Sequence, residues 1–269
     1  MIVVCVAGAT GWVGRAVAEG VLAAPDLELR SAVARTASGR DLGAVWGGER
    51  NGVPVTADVA DALAGVDVLV EYTSHDAAKR HALTAVARGV NVVIGTSGLT
   101  AADFDEIDAA ARTAGVGAVA AGNFSLTAAM AQAAALLVAP HLPQREIVDY
   151  ASASKPDAPS GTARELAERL GSVSTQALDV PVARTSGHPE ARGATIAGTQ
   201  VHSVRLPSFV VSTEVVFALP EERLVIRHDA GATPTPYVAG TLLAVRAAPH
   251  NVGLVRGLDT LLFSESPKA

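Results

Sequence analysis

Met1–Ala7 (MIVVCVA) is an unbroken apolar run that ends abruptly in Gly8-Ala9-Thr10-Gly11-Trp12-Val13-Gly14. A helical pattern follows from Val13 to Ala23. A run apolar on both faces predicts a strand buried inside a parallel sheet. Glycines spaced G-x-x-G-x-x-G are a variant of the dinucleotide fingerprint. They let the backbone turn tightly and approach a pyrophosphate, while the helix start offers N–H donors. Gly8, Thr10, Gly11, Trp12 and Val13 are therefore candidate cofactor contacts. The competing reading is a strand-to-helix turn with no ligand.

The same β-α alternation continues down the chain. Leu27–Ala34 reads as a strand, Val53–Ala57 is ambiguous, and Asp61–Ala64 fits a small helix. Val66–Tyr72, Val90–Ile94 and Val116–Ala121 read as strands, with helices over Asp76–Arg88 and Ala101–Thr113. Such alternation predicts right-handed crossovers in an open parallel sheet. After Asn123 the pattern changes. Helices are predicted over Thr127–Val138 and Ala163–Leu170, with a strand at Glu146–Ala151 between them. Then Thr195–Ile196, Gln200–Leu206, Val210–Phe217 and Arg223–Asp229 alternate in the manner of an antiparallel or mixed sheet with one covered face. Pro236–Ala247 is a last helix, and Ser264–Ala269 reads as a frayed tail. The fold class is α/β: an N-terminal Rossmann-like parallel sheet with a second α+β domain. The expected division is a dinucleotide-binding domain over 1–123, a substrate-binding and oligomerisation domain over 124–232, and a C-terminal helix over 233–269 that returns to the first domain.

Composition narrows the partners. The 269 residues carry a net charge of −6 with no basic run, which argues against nucleic acid. No apolar run reaches the roughly 18 residues needed to span a bilayer, so no membrane partner is expected. The single cysteine, Cys5, can close no internal disulfide, which fits a reducing cytoplasm. The N-terminus lacks the charged region of a signal peptide. The scattered histidines have no metal-ligand spacing, so no metal is expected. Neither a G-x-S-x-G motif nor a Ser-His-Asp arrangement appears.

The end of the second predicted strand bears on which nicotinamide cofactor would bind. An acid there would hold the ribose hydroxyls of NAD. The chain has Ala34-Arg35-Thr36 instead, and its next carboxylate is Asp41. Arg35 can pair with a 2′-phosphate, which favours NADPH over NADH. The alternative is that Arg35 and Arg40 are solvated loop charges. Gly95-Thr96-Ser97-Gly98 and Ala121-Gly122-Asn123-Phe124-Ser125 end two later strands, where ligands bind in open α/β sheets. Gly95, Thr96, Asn123 and Phe124 join the cofactor candidates; simple turn chemistry is their alternative.

Lys155-Pro156-Asp157-Ala158-Pro159-Ser160-Gly161-Thr162-Ala163 carries the clearest chemistry. A helix start offers N–H groups and two hydroxyls to a carboxylate, with a lysine cation beside it. Together with the glycine turn, Gly95–Gly98, Asn123-Phe124-Ser125, Gln200–Pro207 and Arg227-His228-Asp229, this run resembles the dihydrodipicolinate reductase family over most of the chain. The resemblance implies that Gly95–Gly98 and Asn123–Ser125 line a nicotinamide pocket and that Ser160, Gly161 and Thr162 grip a carboxylate of a cyclic substrate. It also implies a role for Lys155 in catalysis, and His202 and Arg205 match the family as well. His202 either faces the substrate or is a hydrogen-bonded strand histidine. In one place the chain departs. The family carries a His-His pair whose first member, the proposed proton donor, lies four residues before the lysine. Here Ala151-Ser152-Ala153-Ser154 occupies that stretch. Lys155, if crowded and buried, is the leading substitute donor; a water on Ser152 or Ser154 is the next. Asp157 reads as a cap on the turn.

The expected activity is therefore NAD(P)H-dependent reduction of a cyclic imine or enamine dicarboxylate. By resemblance the substrate is 4-hydroxy-tetrahydrodipicolinate, an intermediate of lysine and diaminopimelate biosynthesis. One alternative is a divergent paralog reducing a different imine or carbonyl acid; another is a non-catalytic cofactor-binding sensor. The family implies a homo-oligomer, tetramer or dimer. Val210–Phe217 and Leu224–Ile226 are apolar enough to serve as an interface or as core.

Overall fold

The computed structural model describes residues 1–263; the tail read above as frayed lies outside the described residues. The chain divides into two compact units. One comprises Met1–Leu126 together with the segment from Pro234 onward, and the other is Thr127–Thr233.

Among the described residues, seven parallel strands form the sheet of the first unit: β1 (Ile2–Ala7), β2 (Leu27–Val33), β3 (Val55–Thr56), β4 (Val68–Glu71), β5 (Asn91–Ile94), β6 (Gly117–Ala120) and β12 (Gly253–Arg256). Their order is β12-β6-β5-β4-β1-β2-β3. The strand order reverses between β1 and β4, where Ala7 pairs with Glu71. The crossovers are α1 (Trp12–Ala23), α2 (Leu42–Val45), α3 (Val59–Ala62), α4 (His75–Val86) and α5 (Ala101–Ala114). The apolar runs became strands because both faces are covered: Val4, Cys5, Val6, Val68, Leu69 and Val70 are all fully buried. Burial pushes the Cys5 thiol up to about 12, so it stays neutral. The chain returns to this unit through α8 (Thr235–Ala247), β12 and α9 (Leu258–Phe263). The sequence patterns pointed to neither β12 nor α2.

The second unit has a five-stranded sheet in the order β11-β10-β7-β9-β8. Its members are β7 (Arg145–Ala151), β8 (Ala194–Ile196), β9 (Thr199–Arg205), β10 (Val211–Leu219) and β11 (Glu222–Asp229). The sheet is mixed: β7 and β9 run parallel, and the other pairs antiparallel. Helices α6 (Leu126–Val138) and α7 (Gly161–Val173) contribute to a core with Ala135, Ile147, Leu166, Leu170, Val201 and Phe217. Val215 and Phe217 belong to this core rather than to an interface. Leu224 and Val225, on the edge strand β11, are exposed. Along β7 every second residue is buried: Arg145, Ile147, Asp149 and Ala151. Two of these four carry charges.

Candidate functional site

In the first unit the carboxyl ends of successive strands are stitched together by backbone hydrogen bonds. Gly8 N–H donates to Val33 O (2.9 Å), Tyr72 N–H to Ala7 O (3.0 Å), Gly95 N–H to Glu71 O (3.0 Å) and Ala121 N–H to Ile94 O (3.4 Å). These bonds hold the glycine turn, Gly95–Gly98 and Asn123–Ser125 on one edge of the sheet. Gly8 has φ +86°, and a Cβ on it would lie 2.2 Å from the Tyr72 carbonyl oxygen. A Cβ on Gly14 would lie 2.1 Å from the Gly8 carbonyl oxygen. The turn is therefore a bare-backbone cradle at the start of α1, and it fits a pyrophosphate.

A cavity opens from this cradle. Its walls include Gly8, Thr10 and Gly11 from the turn, Ala34, Arg35 and Thr36 from the end of β2, and Arg80 and His81 from α4. Trp12 lies half-exposed, edge-on to Tyr237 with ring centroids 6.1 Å apart. It borders a shallower recess that Thr10 and Gly11 share. Val13 is half-buried in the first turn of α1. Phe124 is buried and packs edge-on to Tyr72 (6.2 Å), so its ring is wall rather than contact. Burial raises the Tyr72 phenol, whose hydroxyl lies 2.9 Å from Thr241 Oγ1. Asn123 Oδ1 accepts the Ser125 N–H at 2.8 Å, which shapes the loop after β6.

Glu71, at the end of β4, ties this edge together, and no motif had marked it. It is fully buried. One oxygen accepts the Thr73 N–H (2.7 Å), the Thr73 hydroxyl and the Thr96 hydroxyl (3.2 Å); the other meets His81 Nδ1 at 2.7 Å. The Thr96 side chain thus bonds to a buried carboxylate.

In the second unit the Ser160-Gly161-Thr162 turn opens α7, and the Ser160 hydroxyl caps the helix by accepting the Ala163 N–H (3.3 Å). The residue that holds this turn is Asp149, not Asp157. Fully buried, Asp149 accepts the Ser160 N–H (2.8 Å), the Ser160 hydroxyl (2.6 Å), the Ser203 hydroxyl (3.2 Å) and the Arg205 guanidinium (2.8 Å). Arg205 also donates to the Asp157 carbonyl oxygen at 2.7 Å, fixing the segment between lysine and serine. The Asp157 side chain instead pairs with Lys155, Nζ to Oδ1 2.8 Å. Lys155 is one quarter exposed and ion-paired, not crowded into an apolar pocket.

Thr162 lines a small cavity with Gln132, Thr213 and His228. Burial lowers the His228 pKa, and its Nε2 lies 3.1 Å from Thr127 Oγ1. His202 is not among these residues. It pairs in register with Val148, on the sheet face opposite Asp149, and its Nε2 lies 2.8 Å from Glu146. It is a strand histidine hydrogen-bonded to Glu146, whose other oxygen pairs with Arg192. Ala151, where the family's first histidine would stand, is fully buried on the Asp149 face. Ser152 and Ser154 hydroxyls lie 3.0 Å apart in the turn that follows. Among the described residues no group of three or more His, Cys, Asp or Glu could hold a metal, and no helix is long and apolar enough to cross a membrane.

A parallel sheet with a bare-backbone turn at its strand-order reversal, followed by a second α+β unit, defines the class of Rossmann-type dinucleotide-binding reductases. Two family models match nearly the whole chain: dihydrodipicolinate reductase N-terminus over residues 2–124, and its C-terminus over residues 122–262. The chain belongs to the dihydrodipicolinate reductase family, whose members are NAD(P)H-dependent oxidoreductases. A 4-hydroxy-tetrahydrodipicolinate reductase of Moorella thermoacetica is 38% identical over 261 residues, covering 96% of this chain and 97% of the relative. One from Synechococcus elongatus is 36% identical over 268 residues, covering 96% and 98%. Among solved structures, the dipicolinate-bound dihydrodipicolinate reductase from Paenisporosarcina sp. TG-14 superposes with a TM-score of 0.74. It is 25% identical, and the match covers 97% of this chain and 99% of that one.

Proposed function

We propose that this chain reduces 4-hydroxy-tetrahydrodipicolinate, a cyclic imine dicarboxylate, with NADPH as its preferred cofactor. The observation that carries this reading is the Ser160-Gly161-Thr162 turn, fixed by the buried Asp149 and flanked by Lys155. The start of α7 would present backbone N–H groups to one carboxylate, with Thr162 at its first turn. Ser160 gives both its hydroxyl and its N–H to Asp149, so its part is to position the turn. The nicotinamide, when bound, supplies the hydride. Gly8, Thr10 and Gly11 would hold its pyrophosphate, and Gly95, Thr96 and the Asn123–Phe124 loop would border the ring. Arg35, on the cavity wall where NAD enzymes carry an acid, supports the preference for a 2′-phosphate. Lys155, beside the turn, is the group we assign to deliver the proton, with Asp157 orienting its ammonium. A biosynthetic reductase of this kind fits a cytoplasmic location, and the exposed Leu224 and Val225 support a homo-oligomer.

An assay with enzymatically generated dihydrodipicolinate and both cofactors tests the reading. We expect turnover with NADPH, and a loss of about 10²–10⁴-fold in Lys155→Met with NADPH affinity intact. Equal rates in the two proteins would remove Lys155 from proton delivery.

A second reading, a paralog acting on a different imine or carbonyl acid, draws on Ala151 and Ser152 standing where the family has histidines. Because Ala151 is fully buried, an imidazole there would overpack the strand. Ser152→His, at the half-buried second position, is the better restoration. Slow turnover by the unsubstituted protein that Ser152→His does not raise would favour the paralog.

A further inference from the structure

The cavity that opens from the glycine turn has two cationic walls, and only one of them was marked by sequence. Arg35 stands at the end of β2. Arg80 comes from the second turn of α4 and lines the same space, with Asp76, Ala77 and His81 of its own helix. Both arginine residues are exposed, and neither has a carboxylate within ion-pair distance among the described residues. An arginine on a surface of net charge −6 has many carboxylates to choose from. Two unpartnered ones facing a single cavity mark a place for an anion.

The position within the fold says which anion. The glycine turn takes the pyrophosphate at β1, and the ends of β2 and β3 carry the adenosine half beyond it. Val33, Ala34, Arg35, Thr36 and Ala57 form that end of the cavity. α4 is anchored from below by His81, whose Nδ1 lies 2.7 Å from the buried Glu71. With residue 81 held against the sheet, residue 80 is set beside it on the cavity rim. The charged and titratable groups facing this space are Arg35, Arg80, His81 and Asp76; the Asp76 carboxylate is engaged by His75 Nε2 at 2.9 Å.

We propose that Arg80 is a second specificity-determining residue for the cofactor. It would close with Arg35 on the adenosine 2′-phosphate from the opposite side, while Asp76 weakens the grip. The inference rests on the NADPH preference proposed above and extends it to a residue outside the glycine turn and the end of β2.

The test is fluorescence titration of NADPH and NADH, with adenosine 2′,5′-bisphosphate and AMP as cofactor halves, on the unsubstituted full chain and on Arg80→Ala. We expect Arg80→Ala to weaken NADPH and the bisphosphate by about tenfold or more, with NADH and AMP changed by less than about threefold. Asp76→Asn should shift the same ratio the other way, by about twofold to threefold. Unchanged melting of both variants separates this from a folding defect. Should the unsubstituted protein prefer NADPH while Arg80→Ala leaves the NADPH-to-NADH ratio where it was, the assignment of Arg80 falls and that of Arg35 stands. Should the unsubstituted protein bind NADH as tightly as NADPH, both fall.

Discussion

The glycine cradle and the Ser160–Thr162 turn are both helix N-termini that we propose receive an anion, yet they are built in opposite ways. The cradle is made by leaving side chains out. Its shape comes from glycine backbone lying against backbone, with strand ends stitched by many main-chain hydrogen bonds. The second turn is made by putting one side chain in. Asp149, fully buried, takes four hydrogen bonds from three residues, Ser160 on the turn and Ser203 and Arg205 on β9, and holds the turn almost alone. The first construction should tolerate deletions and fail on additions; the second should do the reverse.

The largest expected effect tests the second half of that contrast. Asp149→Ala leaves the guanidinium of Arg205, itself mostly buried, without its carboxylate, and frees the Ser160 turn. Breaking one side of a buried pair costs about 3–5 kcal/mol, to be read from the urea midpoint. Pyridine-2,6-dicarboxylate binding should disappear in calorimetry, while NADPH affinity stays. A variant that unfolds like the parent would mean that the turn holds itself.

Next is Gly14→Ala, the addition of a single methyl group. The new carbon meets the Gly8 carbonyl oxygen, so the turn must open, at about 1–3 kcal/mol. NADPH affinity should fall with it. Thr96→Val, which removes a hydroxyl from the same sheet edge, should cost no more than about 1 kcal/mol. If the deletion proved costlier than the addition, the contrast would be wrong for the first unit.

The smallest effect separates the two units by pH. Burial keeps the folded His228 pKa below its ordinary value. The unfolded chain therefore takes up a proton near pH 6.5 that the folded chain refuses. Stability should be full above that pH and decline as pH falls through it towards the lowered folded value. His228→Gln should flatten this slope in urea melts at about pH 7.5 and about pH 5.5. A slope that persists unchanged in the variant would assign the effect to other groups.

The sheet of the first unit was legible because a doubly covered strand must be largely apolar: β1 and β6 are apolar throughout, and β4 and β5 depart only at one end, at Glu71 and Asn91. The glycine turn was legible for the same reason that it works: nothing but glycine fits. β12 was not, because four residues are too few to show a periodicity. Its pairing with β6 spans 136 residues from Gly117 to Gly253. Asp149 was missed although its signal was present. In REIVDYA the buried register holds Arg145 and Asp149 alongside Ile147, and a charge at an inward position of a strand is itself a mark of a buried network. Arg145 fits the same rule, donating to the Ser174 hydroxyl (2.6 Å) and carbonyl (2.8 Å). Glu71 ends β4, where its charge was easily taken for the edge of the apolar run. Asp157 was read as the cap because it is near in sequence; the residue that does the work is eleven positions from Ser160, on the neighbouring strand.

The return of the chain to β12 sets an order of events during synthesis. Residues Thr127–Thr233 leave the ribosome before the outer strand of the first sheet exists. Until Gly253–Arg256 emerges, β6 is an open edge whose unpaired N–H and C=O groups can pair with any passing strand. The middle of the protein can therefore complete its fold while its beginning is still waiting, and the hazard of misassembly falls on Gly117–Ala120 rather than on the glycine turn. A stop codon shortly before Gly253 would leave every residue of both candidate sites in place and still yield a protein with its sheet unsealed.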